Sequence, residues 1–175
     1  MQPTIPPAST SDPTSGAATE RLGEALGRIP SGLFIVTWQA EGADRAMLAS
    51  WAMQAGFDPP LVSVAIGLGR DLLAAVRGGS GFVVNVLADS QRGLLGRFGK
   101  PPAAGEDLFS GLPTERTPAG GIALADAAAW LECEPVAEAL AVAADHALVL
   151  GRVTAAGGCT DQAPLVHLRR NGLKY

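Results

Sequence analysis

The dipeptide Asp145-His146 joins a carboxylate to one of the two histidines of this chain. The carboxylate of Asp145 can orient the imidazole and favour its protonated form, which suits hydrogen-bonding or proton-transfer chemistry. The alternative interpretation is a surface histidine at the tip of a hairpin. The other histidine, His167, belongs to no recognisable sequence motif, and we interpret it as a structural or surface residue.

A glycine-containing stretch, Gly67-Leu68-Gly69-Arg70-Asp71-Leu72, follows an apolar run and opens a predicted helix, as a dinucleotide-binding phosphate loop does. Asp89 lies roughly twenty residues further on, the spacing of a ribose-binding acid. Leu72, however, stands where a third glycine is needed, and the chain lacks repeated β-α-β alternation. Arg70, together with the free amides at the start of the helix, remains a candidate phosphate-binding site. The alternative is a plain turn with a solvated arginine.

Three strand-like apolar runs, at residues 47–51, 58–66 and 82–87, each carry a polar or small-residue interruption at one end. A barrel wall needs apolar side chains to fill its interior, while small residues and backbone amides at its rim can approach a flat ligand closely. The pattern therefore favours a barrel that binds a planar, partly polar molecule.

In their order and spacing, the three runs resemble the flavin reductase-like family, which has an FMN-binding split-barrel fold. The resemblance is closest to the C-terminal flavin reductase domain of cyanobacterial flavodiiron proteins. Asp145-His146 before an apolar strand resembles the family's Gly-Asp-His signature, with Ala144 in place of the glycine. Residues 105–109 resemble a Gly-Glu-Asp-x-Phe stretch of the flavodiiron-associated domains.

The resemblance implies roles for individual residues. Backbone amides of Leu48 and Ala49 would bind the flavin ring edge, the hydroxyl of Ser50 would reach the phosphate, and His146 would lie where the nicotinamide docks. His146 is thus the expected catalytic residue, and no metal site is expected. The expected cofactor-binding residues are Met47, Leu48, Ala49, Ser50, Trp51, Ala65, Ile66, Arg70, Asn85, Val86, Leu87 and Phe98.

Each of these assignments has a structural alternative. Residues 47–51 could be an ordinary strand end, and many relatives have a threonine where Leu48 stands. The amide of Asn85 must be satisfied in an apolar strand, so a backbone cap or turn is nearly as good an explanation as a ligand contact. Phe98 would by default pack into the core.

The fold implied by the resemblance is mainly β with flanking helices, a split β-barrel that forms a homodimer. It would bind FMN, or FAD, and transfer hydride to it from NADH or NADPH. Electrons would then pass to oxygen, to a flavin-dependent oxygenase or to a flavodiiron partner. Two alternatives are a flavin-binding electron-transfer module without its own NAD(P)H activity, and a subunit whose barrel serves only dimerisation.

Composition excludes several other functions. The net charge of −4 without clustered Lys and Arg gives no reason to expect nucleic-acid binding. No apolar run reaches the length of a membrane span, and the first residues lack the basic and apolar regions of a secretory signal. Two cysteines form no C-x-x-C motif, so we expect inert thiols in a cytoplasmic protein.

The chain is predicted to have a disordered Pro/Ser/Thr-rich tail over residues 1–18 and one domain over 19–175. A helix capped by Thr19 would bury Leu22, Leu26 and Ile29 and end at Pro30. Residues 136–150 favour a helix by alanine content, whereas the resemblance implies a hairpin there. Further predicted elements are strands at 33–39, 45–50, 61–66, 82–87, 127–136, 146–155 and 164–169, helices at 71–77 and 91–98, and a loop at 99–121 that acts as a lid or an interface.

Overall fold

The computed structural model describes residues 16–103 and 105–173, without the side chains of residues 137–139 and 143. Its elements form two compact units, residues 31–167 and a smaller unit that pairs the N-terminal helix with residues 168–173. In chain order the elements are α1 (Gly16–Gly27), β1 (Ser31–Gly32), β2 (Phe34–Ala40), β3 (Ala43–Ala49), β4 (Ala52–Phe57), β5 (Pro60–Gly67), α2 (Asp71–Arg77), β6 (Phe82–Val86), a 3-10 helix (Asp89–Leu94), α3 (Leu95–Phe98), β7 (Thr114–Arg116), β8 (Ile122–Leu124), β9 (Ala129–Ala143), β10 (His146–Gly157) and β11 (Val166–His167).

A seven-stranded antiparallel sheet with the order β3-β2-β6-β9-β10-β5-β4 forms the larger unit. Its two edge strands, β3 and β4, follow each other in the chain and are joined by Ser50 and Trp51. Among the described residues the two edges form no ladder with each other, so the sheet is not closed. The expectation of a mainly β protein with flanking helices is confirmed.

The two faces of the sheet bury separate apolar cores, because successive side chains of a strand point to opposite faces. On β2, Val36 belongs to the first core, with Val64 and Ile66 of β5. Its neighbour Ile35 belongs to the second core, with Phe98 of α3. Helix α2 covers the first core with Leu72, Leu73 and Val76, all of them buried.

The alanine-rich segment after Pro135 is a strand, as the family resemblance implied and helix propensity did not. Strands β9 and β10 form a long hairpin whose tip is Ala144-Asp145, and β10 also pairs with β5 on its other side. Ladder hydrogen bonds on both sides of β10 outweigh the small per-residue preference of alanine for a helix.

Several predicted boundaries differ from the structure. Strand β4 was not predicted, because exposed Met53 and Phe57 and the intervening Gly56 give no alternating pattern. The expected loop 99–121 contains β7, which pairs with β8. The predicted helix 91–98 is a 3-10 helix followed by one short α-helical turn.

Helix α1 begins at Gly16, three residues before the predicted cap, because Ala17 and Ala18 are strong helix formers. Most of the predicted disordered tail lies outside the described residues. The predicted apolar face is wrong, since Leu22 and Ile29 are more than half exposed.

The buried face of α1 consists of Gly23 and Gly27. A Cβ atom at Gly27 would lie 2.5 Å from the carbonyl oxygen of Arg169, and one at Gly23 would lie 2.6 Å from Oδ1 of Asn171. The helix therefore needs glycine at these positions to approach residues 169–172.

A strap formed by β7, β8 and their turn (residues 114–124) is fixed to the sheet by buried polar side chains. Nδ2 of Asn85 donates to the carbonyl of Ile35 at 3.0 Å, and its Oδ1 accepts from the amide of Leu124 at 2.7 Å. Thr37 donates its hydroxyl to the carbonyl of Ile122 at 2.6 Å.

The turn of the strap is fixed by Glu132 of β9, which is buried and accepts hydrogen bonds from the hydroxyl of Thr117 and the amide of Ala119. Nε1 of Trp130 donates to the carboxylate of Glu115 at 2.7 Å. The strap forms no ladder with the strands of the large sheet. Side chains of the sheet therefore supply hydrogen bonds to the strap backbone.

Replacing Asn85 with Ala should lower the free energy of unfolding by about 2 to 4 kcal/mol, since it leaves buried backbone groups without partners and opens a cavity. Urea unfolding followed by circular dichroism measures this change. Gln39→Ala, which removes longer hydrogen bonds at an exposed side chain, is the matched control. An Asn85→Ala protein as stable as the control would show that the amide does not hold the strap.

Candidate functional site

The imidazole of His146 lies where three neighbouring strands end together. His146 begins β10 and pairs with Gly67, the last residue of β5. Trp51 precedes β4, and its carbonyl accepts a hydrogen bond from the amide of Ala65 at 2.9 Å. The rings of Trp51 and His146 are in contact, with centroids 4.9 Å apart and a tilt of 56°. The fold therefore brings together Trp51, Ala65 and His146, and Arg70 lies just beyond the end of β5. All four were candidate site residues in the sequence.

Asp145 fixes the orientation of this imidazole. Its Oδ1 lies 2.9 Å from Nδ1 of His146. The hydrogen bond to His146 holds the pKa of the Asp145 carboxyl below its usual range, so the carboxylate is ionised and only accepts. Nδ1 must then carry the proton, and Nε2 is the ring nitrogen that can face a ligand. The imidazole is about one quarter exposed.

The side chains of Arg70 and His146 both lie close to the Cα of Gly67. A Cβ atom at Gly67 would lie 3.7 Å from Cγ of Arg70 and 3.9 Å from Nε2 of His146. Arg70 is the N-cap residue of α2, its amide donates to the carbonyl of Gly67, and its side chain is exposed. Helix α2 has only seven residues, so the arginine side chain rather than the helix end is the relevant cation.

The predicted flavin-binding segment 47–51 divides between both faces of the sheet. Met47 and Ala49 pack in the first core, and Leu48 packs in the second. Ser50 is buried. Because β3 is an edge strand, alternate backbone N–H and C=O groups point away from β2. The segment can therefore offer backbone contacts, as predicted for Leu48 and Ala49, while their side chains serve the cores.

Other predicted cofactor contacts have structural roles here. The amide of Asn85 is fully used by the backbone of β2 and the strap, which is the alternative raised from the sequence. Ile66, Leu87 and Phe98 are buried in the two cores because they stand on inward faces of their elements. Val86 is half-buried at the end of β6.

A cleft of about 420 Å³ runs along the first half of β3, beneath the segment that was predicted as a cover. No pattern in the sequence predicts that this half of the strand borders a cleft. Charged ends of short hairpin strands are common on surfaces, so Arg45 carried no distinct signal. The lining residues are Trp38, Asp44, Arg45, Ala46, Asp71, Pro102, Glu106, Asp107, Leu108, Phe109 and Ile122.

Three of the four carboxylates that line this cleft have hydrogen-bond partners, and the fourth is that of Asp71. Asp44 forms a bidentate ion pair with Arg116, whose hydrogen bonds hold the pKa of the Asp44 carboxyl below its usual range. Glu106 accepts from the amide of Ala103, and Asp107 accepts from the amide of Phe109. Volumes of this order hold small-molecule ligands. The mixed apolar and hydrogen-bonding walls fit a flavin ring, whereas the acidic side chains disfavour a phosphate there.

Other chemistries find no support among residues 16–103 and 105–173. No group of three or more His, Cys, Asp or Glu residues there could hold a metal ion. Burial raises the pKa of the Cys133 thiol to about 12, which leaves it unreactive. In the same part of the chain, no helix is long and apolar enough to span a bilayer.

Comparison with known proteins identifies the family. The pattern of the "Flavin reductase like domain" matches residues 26–172. The chain belongs to the flavin reductase-like family. Diflavin flavoprotein A 1 of Synechocystis is 39% identical over 160 residues, which are 88% of this chain and 27% of that protein. The chain thus spans about a quarter of the length of this curated relative.

Solved flavin reductases share the split-barrel fold of this family member. The NADH:FAD oxidoreductase SgcE6 of Streptomyces globisporus has a TM-score of 0.76 at 26% identity, covering 93% of this chain and 95% of SgcE6. The styrene monooxygenase flavin reductase SMOB of Pseudomonas putida has a TM-score of 0.71 at 27% identity, covering 83% and 90%. The expected split barrel and the resemblance drawn from the three apolar runs are confirmed.

The Asp145-His146 contact has a titration signature. Replacing His146 with Gln removes the charge-assisted hydrogen bond that favours the ionised carboxyl, so the pKa of Asp145 should rise toward its ordinary value. The Asp145 side-chain carboxyl carbon, followed by NMR between acid and neutral pH, reports this midpoint. His167→Gln should leave the midpoint unchanged. The contact would be disproved by equal midpoints in the wild type and the His146→Gln variant.

Proposed function

We propose that this chain is an NAD(P)H-dependent flavin reductase that binds FMN, or FAD, and transfers hydride to it from the nicotinamide. The observation that carries the proposal is the His146 site, in which Trp51, Gly67 and Asp145 hold an oriented imidazole at one end of the sheet. The family membership and the similarity to SgcE6, an NADH:FAD oxidoreductase, support the proposal.

The residues of the chain would divide the work as follows. Edge backbone groups of Leu48 to Ser50 and the cleft along β3 would hold the flavin ring. When bound, the flavin accepts the hydride and supplies the redox chemistry. Nε2 of His146 would donate to or accept from the reacting partners at the nicotinamide side, and Trp51 would shield that side from water.

An anaerobic titration with FMN or FAD and then NADH or NADPH tests the proposal through the blue absorption band of the flavin. Protein-dependent bleaching supports it. Flavin binding without bleaching would instead favour an electron-transfer module without NAD(P)H activity, and the absence of binding would leave a split barrel without a flavin role.

His146→Ala should slow flavin reduction by about ten- to a hundredfold, because it removes one hydrogen bond to a charged or reacting group. The dissociation constant of the flavin should change little, because His146 is placed at the nicotinamide side. Stopped-flow reduction at saturating nucleotide measures the rate, with His167→Ala as the control. If the variant reduces flavin as fast as the control, His146 has no catalytic role.

We also propose an electron-accepting partner. In diflavin flavoprotein A 1 the matching region lies within a chain almost four times as long as the match. A separate reductase of this family would deliver reduced flavin or electrons to a flavodiiron protein or a flavin-dependent oxygenase. SMOB, the flavin reductase of a styrene monooxygenase, provides a precedent for the second arrangement.

A homodimer is the proposed assembly. Edge strand β4 presents two exposed apolar side chains, with Phe57 90% and Met53 70% accessible. An apolar cleft of about 370 Å³ lies beside them, bordered by Phe34, Leu61 and Val153. Unpaired edge strands and contiguous apolar surface are typical of protein interfaces.

Replacing Phe57 with Ser should weaken dimerisation by about a hundredfold, since a symmetric interface loses two buried phenyl groups. Analytical ultracentrifugation over a concentration series measures the association constant. Val166→Ser, at another exposed apolar residue, is the control. A wild-type monomer, or an unchanged association constant in Phe57→Ser, would contradict the proposed interface.

A further inference from the structure

The side chains of Arg70 and His146 border a small space above the Cα of Gly67, which we call the notch. The position that a Cβ would occupy there lies within 4 Å of both Cγ of Arg70 and Nε2 of His146. The backbone of Gly67 lies in strand β5, and its φ is not in the left-handed region. The backbone conformation at this position therefore does not require glycine. The effect of the glycine is that no side chain fills the notch.

Arg70 differs from several other arginines of the larger unit. Arg92 pairs with Asp89, Arg116 pairs with Asp44, and Arg97 donates to the carbonyl of Ser110. Within the described residues, the guanidinium of Arg70 has no hydrogen bond or ion pair, although Asp71 is its neighbour in the chain. Asp71 instead lines the cleft along β3.

The charges around the notch favour an anion. Nδ1 of His146 is held by Asp145, which leaves Nε2 as the nitrogen near Gly67. The negative charge of Asp145 is engaged by the imidazole. A guanidinium can donate two parallel hydrogen bonds to a phosphate group, and Nε2 of His146 can add a further one only when the imidazole carries a second proton.

We infer that the notch over Gly67 seats a phosphate group of the nicotinamide dinucleotide, bound by the guanidinium of Arg70 beside the imidazole of His146. This inference rests on the proposed function, because it names how that same site holds the electron donor. The phosphate is either the diphosphate bridge, which NADH and NADPH share, or the 2′-phosphate, which only NADPH carries. On this inference, Gly67 admits the nucleotide phosphate to the notch because it has no side chain.

Two substitutions test the seat. Arg70→Gln removes the cation, and Gly67→Val fills the notch with a β-branched side chain. Each should raise the KM for the nucleotide by about tenfold, the effect of losing one charge-assisted hydrogen bond, while the flavin dissociation constant stays within about twofold. The matched controls are Arg77→Gln on the same helix and Gly69→Val, because a side chain at Gly69 would meet nothing within 4 Å.

The comparison of NADH with NADPH identifies the phosphate. Equal increases in KM for both nucleotides indicate the diphosphate bridge, and an increase for NADPH alone indicates the 2′-phosphate. Both results support the seat. Variants that match their controls with both nucleotides would overturn it.

A direct binding measurement separates this inference from the proposed reaction. With pyrophosphate or ADP as the probe, the Cε1–H NMR signal of His146 should shift, and the signal of His167 provides an internal reference. Arg70→Gln should remove the shift. A wild-type protein without flavin reduction but with this shift would refute the proposed function and keep the phosphate seat; the absence of a shift in the wild type would overturn the seat.

Discussion

Ser50 and Trp51 connect two strands that lie at opposite edges of one sheet. The connection is held by the hydrogen bond between the amide of Ala65 and the carbonyl of Trp51. Because β5 lies between β4 and β10, this link also places Trp51 beside Gly67 and His146. An open sheet thus gives the chain both an edge with available backbone groups and a place where aromatic and polar side chains meet.

The sequence was sufficient to predict those parts of the site that depend on a local pattern. Asp145-His146 marks the hairpin tip, and the apolar runs mark the strands on either side of it. The cleft near Arg45 was not predicted, since it forms only when the edge of β3 meets Pro102 and residues 106–109, more than fifty positions away. Such contacts have no local periodicity, and the same holds for the proximity of Arg70 and His146 at Gly67.

Asn85 shows why a polar residue in an apolar strand can be interpreted in two ways. Its amide must be satisfied wherever it is buried, and both a ligand and the protein backbone can do this. The missing partner is strand β8, which directly follows the predicted loop, because the strap needs hydrogen bonds that no central strand supplies. Phe98 could likewise be interpreted as a ligand contact or as a core residue. It is a core residue, since α3 packs its aromatic ring in the second core.

The hairpin tip before His146 carries an L-residue in the left-handed region, Ala144 at φ 54°. That conformation costs about 1 kcal/mol for a residue with a Cβ, and glycine, which the family signature has there, avoids the cost. Alanine has fewer accessible backbone conformations than glycine, however, so it narrows the motions of the turn. Alanine at this position therefore lowers folding stability but stiffens the segment that presents the imidazole.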